Sequence, residues 1–106
     1  MVDLSNDVVV HVNKEGLEYL QFRVLNEYSR HLVHCFTTRH GGVSTGECAN
    51  LNLGFNRNDA RENVRLNYRK LGKVLGINEN DLVFSNQVHG NTIYTATKGD
   101  AGKGFT

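Results

Sequence analysis

The chain is 106 residues long, with twelve Lys and Arg against eleven Asp and Glu and a formal charge of +1. That length allows one domain, burying roughly 60–70% of its unfolded surface, and the near-neutral balance, with no aromatics interleaved in a basic patch, argues against a nucleic-acid or membrane surface. No apolar run approaches the roughly 18–20 residues that span a bilayer, the N-terminus lacks the basic start of a signal peptide, and Cys35 and Cys48 are too few for a disulfide framework, so the reading is a cytoplasmic protein with reduced thiols.

Val8 to Val12 reads as a first strand, and Asn13-Lys14-Glu15-Gly16 as the turn into a second, Leu17 to Leu25, giving a hairpin. In the second strand Leu20, Phe22 and Val24 share one face, while Leu17, Tyr19 and Leu25 share the other. Apolar content on both faces predicts a sheet covered on both sides. His31 to Thr38 is a third strand, with Cys35 in it as a buried small hydrophobe and Cys48 nearer the surface.

That strand delivers the chain to Thr37-Thr38-Arg39-His40-Gly41-Gly42-Val43-Ser44. A loop of this make-up suits a ligand: two glycines free the backbone, and Arg39 offers a rigid fork of donors matched to a phosphate or carboxylate. The plainer reading of the same residues is a hairpin turn with an exposed Arg. Asn50-Leu51-Asn52-Leu53-Gly54-Phe55 follows, its leucines and phenylalanine available as packing anchors and its asparagine amides able to bond backbone or ligand.

The clearest helix comes next. Asn58 or Asp59 can cap it, Glu62 lies in its first turn, and Val64, Tyr68, Leu71 and Leu75 form an apolar stripe with Val74 beside it. Arg61, Arg65, Arg69 and Lys73 make a solvated face, and Gly76 ends the helix. Asn78 to Asp81 is a short capped turn, and Leu82 to His89 and Asn91 to Thr97 read as two further strands joined at Gly90-Asn91. The fold class is therefore α/β in the mixed α+β sense, with one main helix. The stretch from Lys98 to Thr106 is a glycine-rich polar loop, and a chain ending inside such a loop is expected to be one incomplete domain, residues 1–106.

Among five histidines, His89 in Gln87-Val88-His89-Gly90 has the most suggestive setting, at a strand end before a glycine. A metal site from His31, His34, Cys35 and His40 meets a geometric obstacle, because strand alternation puts His34 on the face opposite His31 and Cys35. A cysteine nucleophile paired with His89 lacks any activating motif around Cys35 or Cys48.

Phe36 to Ser44, then Asn50 to Gly54, Asp59, Asn67 and Gln87-Val88-His89-Gly90 together resemble the N-terminal part of the polyphenol oxidoreductase or laccase-domain family, over roughly residues 31–98. Members of that family are understood as zinc-dependent purine nucleoside phosphorylases with adenosine deaminase activity. The resemblance implies a layered α/β/β/α domain with mixed sheets, purine nucleosides and phosphate as ligands, and zinc held by three residues. His89 matches the first of those ligands. The other two belong to an Ala-Asp-Cys motif and a His-Ala-Gly-Trp-Arg-Gly motif, neither of which occurs here, so this chain alone is expected to bind zinc weakly and to be inactive. Arg39, Ser44, Asn52 and Gln87 are candidate substrate or phosphate ligands by their chemistry. This chain also departs from the family in having Asn58-Asp59 where Gly-Asp is common and Asn67-Tyr68 where Asn-Arg is common. Alternatives are a metal-free anion-binding or interaction module, and a copper-dependent polyphenol oxidoreductase; for the latter the sequence offers no clustered His-x-His pair and one Met.

Overall fold

The computed structural model describes residues 3–85 and 90–104. A two-residue turn sets the register of its sheet: Glu15 has φ 53° and Gly16 φ 81°, the pair of positive angles a type I′ hairpin requires. Strand β1 (Val9–Lys14) accordingly pairs antiparallel with β2 (Leu17–Phe22), from Lys14 opposite Leu17 to Val9 opposite Phe22.

The second strand stops three residues short of the expected Leu25, and a single helical turn, α1 (Arg23–Asn26), follows. The reason lies in the partner. The Arg23 amide closes the hairpin on Val8 O at 2.9 Å, and the chain before Val8 turns away, with Asn6 N donating to Val9 O at 3.0 Å. Residues beyond Phe22 thus have no ladder to join, and their backbone groups go into a turn instead.

The third strand is shorter still. β3 is Phe36–Thr37 alone, paired antiparallel with Leu20 and Tyr19 to give the order β1-β2-β3. The amides of His31 and Leu32 are committed to Tyr28 O, at 2.9 and 3.0 Å, and the Phe22 amide donates to His34 Nε2 at 2.9 Å. A side chain has replaced what would have been a ladder bond.

Helix α2 spans Arg61–Leu75, with Gly76 in the left-handed conformation at φ 78° as its C-cap. Its cap differs from expectation: Ala60 occupies the N-cap with no side-chain cap bond, because the Asp59 carboxylate is engaged with Ser44, Asn52 and Asn63. The stripe buries Leu71 and Val74 against Leu17 and Tyr19 of β2 and against Leu51, with Val12, Cys35, Leu53 and Leu75 packed around them. Removing each such aliphatic side chain from water contributes about 1.5–3 kcal/mol.

This core lies on one face of the sheet. The other is covered only in part: Phe22 and Phe36 are 41% and 65% exposed, while Glu18 and the His11 side chain are buried there, His11 against the chain around Leu4 and Ser5, so among the described residues the expected two-sided apolar cover is not present. The mixed α/β class holds, the sheet being antiparallel throughout with one main helix.

Asn78 caps a 3₁₀ turn over Glu79–Asp81, its side chain accepting from the Asn80 amide. Residues 82–85 and 91–97, read as strands from their alternation, are irregular, with Ile93 92% exposed. Two backbone bonds, Phe84 N to Lys103 O and Gly102 N to Leu82 O at 2.9 and 2.8 Å, tie the first of them to the glycine-rich loop. That loop is locked by Asp100, which accepts from Lys103 Nζ at 2.6 Å and from the Thr97 amide at 2.9 Å. Gln87 and His89 lie outside the described residues. No helix among the described residues is long and apolar enough to cross a membrane.

Candidate functional site

The loop after β3 is held by close backbone packing. A Cβ on Gly41, whose φ is 109°, would lie 2.6 Å from Leu17 Cα, and one on Gly42 would lie 2.3 Å from Asn50 O and 2.6 Å from Asn67 Oδ1. Glycine here makes room for other backbone. The Asn50 and Leu51 amides both donate to Arg39 O, at 2.9 and 2.8 Å, and Ser44 N donates to Asn50 O at 2.9 Å. The loop and the Asn50–Gly54 segment are thereby one unit.

Asn67 fastens that unit to the helix. It is fully buried, at 0% exposure, and all of its amide is used: Oδ1 accepts from Val43 N at 2.8 Å, and Nδ2 donates to Ser44 Oγ at 3.0 Å and to Asn52 O at 2.8 Å. Ser44, 2% exposed, donates a hydrogen bond from its hydroxyl to Asp59 Oδ2 at 2.5 Å. Asn52 Nδ2 reaches the same oxygen at 3.0 Å, and Asn63 Nδ2 reaches Oδ1 at 3.2 Å. These donors, the Ser44 hydroxyl foremost, hold the Asp59 carboxyl below the usual carboxylate range. In this network Asn67 and Ser44 are buried and Asn52, Asp59 and Asn63 half-buried, and its mutual pairing holds the members in one arrangement.

Above this network lies a cleft of about 650 Å³, lined by Arg39, Glu47, Cys48, Asn52, Arg57 and their neighbours. Arg39 is exposed and anchored by Nε and Nη2 on Ala49 O, at 3.3 and 3.2 Å. Arg57 makes no side-chain hydrogen bond or ion pair among the described residues. The lining thus carries two guanidinium groups and the Glu47 carboxylate, with the Asp59 carboxylate beneath Asn52; Arg39 and Arg57 are the groups in it able to meet an anion. Cys48 donates to Asn58 O at 3.6 Å. Burial first, then the charges of Asp59 and Glu47, push its thiol up, so it is no ready nucleophile.

Of the expected ligand-binding residues, then, Arg39 and Asn52 meet at the cleft, and Ser44 lies beneath it with its hydroxyl engaged. Asp59 and Asn67 enter the sequence reading only as positions carrying the family resemblance, Asp59 also as a possible helix cap, and Arg57 does not enter it. For Asn67 a signal existed, since it falls on the same helix face as Val64, Leu71 and Val74. His34 and His40 are engaged apart: His34 with the Phe22 amide, and His40 with its Nε2 3.9 Å from Glu18 Oε2. Among the described residues no three His, Cys, Asp or Glu converge in a way that holds a metal ion.

A second cleft, of about 700 Å³, shares Asn56 with the first and is walled by Phe55, Tyr68 and Phe84, with Arg61 at its rim. The Tyr68 hydroxyl donates to Leu53 O, and the Arg61 guanidinium lies 4.4 Å from the Phe55 ring centre.

The chain is 43% identical over 68 residues to purine nucleoside phosphorylase YlmD of Geobacillus stearothermophilus, an alignment covering 64% of this chain and 25% of that protein. It is 47% identical over 57 residues to a purine nucleoside phosphorylase of Deinococcus radiodurans, covering 54% and 22%. Against YlmD of Bacillus subtilis it is 30% identical over 79 residues, covering 74% and 28%. The chain thus spans about a quarter of the length of the curated relatives it matches. No solved structure matches it. The family described as multi-copper polyphenol oxidoreductase laccase matches residues 33–105, a span that takes in the glycine loop, the Asn67 network and both clefts, and to that family this chain belongs.

Proposed function

We propose that this chain takes part in the phosphorolysis of purine nucleosides, supplying one wall of a phosphorylase active site. The observation that carries the reading is the cleft in which Arg39, Arg57 and Asn52 stand together on a pre-ordered frame; the names of the relatives supply the reaction. In that reaction an oxygen of hydrogen phosphate bonds to C1′ of the ribose, the bond from C1′ to the base nitrogen breaks, and the phosphate proton passes to the departing base. Arg39 binds and orients the phosphate, with charge-assisted hydrogen bonds. Asn52 fixes the floor of the cleft, and Ser44, through Asp59 and Asn67, keeps that floor in register. Gln87 is assigned to the substrate as well, by its chemistry.

Zinc belongs to this reading through His89, which falls in the family's Gln-x-His-Gly pattern. The described residues offer no further convergent ligands, so within this chain the metal rests on His89 alone. We assign the protein to the cytoplasm, where the free thiols of Cys35 and Cys48 would stay reduced.

The test is a phosphate-dependent assay of ribose 1-phosphate release from inosine and adenosine, with the protein expressed from its full reading frame. Arg39→Gln is expected to raise the KM for phosphate about tenfold or more while leaving the fold intact. Ammonia released from adenosine measures deamination separately. If the wild type shows no phosphate-dependent cleavage of either nucleoside, the reading fails.

A further inference from the structure

The cleft that holds Arg39 carries charge of both signs, and its charged members do not pair with one another. Glu47 sits in the 3₁₀ turn Gly46–Cys48 and lines the same concavity as Arg39 and Arg57. Among the described residues, neither guanidinium forms an ion pair with it or with any other carboxylate. Opposite charges held apart in one cleft keep their bonding capacity for a ligand. A bare anion would engage the guanidinium groups and be repelled by Glu47, whereas a ligand carrying both an anionic group and hydroxyls would satisfy all three.

The frame around these groups is tied together. Asn58 joins the Glu47 turn to the segment that carries Arg57: its Nδ2 donates to Glu47 Oε1 at 3.0 Å, and its carbonyl accepts from Cys48 Sγ at 3.6 Å. Glu47 Oε2 takes no hydrogen bond among the described residues and stands as an open acceptor. Glu47 and Arg57 flank the same thiol, since the carboxylate raises the pKa of Cys48 and the guanidinium lowers it. Arg39 is anchored on Ala49 O by Nε and Nη2, which leaves its Nη1 donors unused. The volume, about 650 Å³, lies within the ordinary range for small-molecule sites, roughly 300–1,000 Å³.

We propose that this cleft takes a phosphorylated ribose, with Arg39 and Arg57 on the phosphate and Glu47 accepting from the 2-hydroxyl of the sugar. The assignment rests on the phosphorolysis reading, whose sugar product is ribose 1-phosphate, and adds to it a selection for ribonucleosides over 2′-deoxyribonucleosides. In ribose 1-phosphate the 2-hydroxyl sits on the carbon next to the one that bears the phosphate. A group that reads it must therefore stand beside the phosphate ligands, as Glu47 does. A carboxylate offers acceptors only and so suits a hydroxyl donor, and dinucleotide-binding folds hold a ribose 2′-hydroxyl by the same contact. A deoxy sugar presents no donor at that point, and the carboxylate is left facing carbon.

Two measurements on the full-reading-frame protein test this. The first is calorimetric binding of ribose 1-phosphate and of 2-deoxyribose 1-phosphate, which needs no turnover. Wild type is expected to hold the ribose form about tenfold or more tighter, the scale of one hydrogen bond to a charged group. Glu47→Ala is expected to bring the two sugars level, whereas Arg57→Gln weakens both about tenfold and keeps their ratio. The second is the ratio of kcat/KM for inosine to that for 2′-deoxyinosine, which should fall in Glu47→Ala by the same factor. A general disturbance of the fold lowers both ligands together and moves neither ratio. Failure of wild type to bind ribose 1-phosphate, equal binding of the two sugars, or a preference that survives Glu47→Ala overturns the assignment. If nucleosides are nonetheless cleaved, the selection alone is lost and phosphorolysis stands. Binding of ribose 1-phosphate whose preference depends on Glu47, in a protein that cleaves no nucleoside, upholds the cleft and sinks the phosphorolysis reading alone.

Discussion

Replacing Asn67 is the most informative perturbation of this fold, because its buried amide joins the helix to both segments of the site. In Asn67→Ala the Val43 amide loses its acceptor, the Asn52 carbonyl loses a donor, and Ser44 Oγ keeps only its bond to Asp59. A buried polar group left unpaired costs about 1–3 kcal/mol, and because the groups are neighbours the costs do not simply add, so we expect a loss of about 3–5 kcal/mol. Against a total stability of about 5–15 kcal/mol for a domain, that removes about a fifth or more, and at about 4–8 °C per kcal/mol the Tm falls on the order of 20 °C. Asn67→Asp separates hydrogen bonding from volume. Its carboxylate accepts from Val43 but turns a bare oxygen toward the Asn52 carbonyl, and adds a charge near Asp59. The loss at neutral pH is therefore expected to match that of Asn67→Ala, and to shrink relative to wild type at the same pH as acid restores a proton to that oxygen. Urea denaturation of the full chain at each pH measures both. Asn67→Ala within about 0.5 kcal/mol of wild type, the usual span of surface changes, would refute the reasoning.

Gly42→Ala places a methyl 2.3 Å from Asn50 O; backbone must move, and a loss of about 1–3 kcal/mol or more is expected by chemical denaturation. Acid should destabilise the chain through Asp59 and Asp100. Asp59 is held below the usual range by Ser44 first, and Asp100 is lowered to about 2 by Lys103 first, then by the Thr97 amide. Both bind a proton more weakly folded than unfolded, so their contribution is complete above the ordinary aspartate pKa of about 3.9 and drains away as pH falls toward the folded values. Asp100→Asn should flatten the fall in urea midpoint between about pH 5 and pH 2, and an unaltered slope would contradict the assignment. With a thiol reagent above neutral pH, Cys48 should be labelled before Cys35, whose thiol is packed against the core and pushed up by burial; mass spectrometry of the partly labelled chain reports the order.

The hairpin and the main helix were legible because each is specified locally. Glu15-Gly16 encodes its own turn, and Leu71, Val74 and Leu75 mark one helix face whatever lies opposite. The third strand, and the described residues of the two read after it, 82–85 and 91–97, were over-read for the opposite reason. Alternation shows that a segment can pair, and whether it does depends on a partner: Leu32 found its backbone acceptor in Tyr28, and the Phe22 amide found a histidine ring. Asp59 was legible as a cap residue by type, yet Ser44 and Asn52, brought to it by the fold, took its carboxylate. Arg39 and Asn52 were legible as candidates because polar groups in glycine-containing loops suit ligands, and the structure brings both to one cleft. Asn67 was marked only by the family resemblance and its role was not legible, since a polar residue inside an apolar stripe looks like a break in the pattern until its three partners are seen.

The close seating of Gly41 and Gly42 has a consequence for affinity. A flexible loop that closes on an anion must surrender backbone freedom at binding, at about 1–2 kcal/mol for each residue ordered. Here Leu17, Asn50 and Leu51 have already confined the loop in the free protein. Under the proposed reading, a phosphate arriving at Arg39 would meet backbone that was ordered during folding, so the entropy of ordering the loop would fall on the fold rather than on the complex.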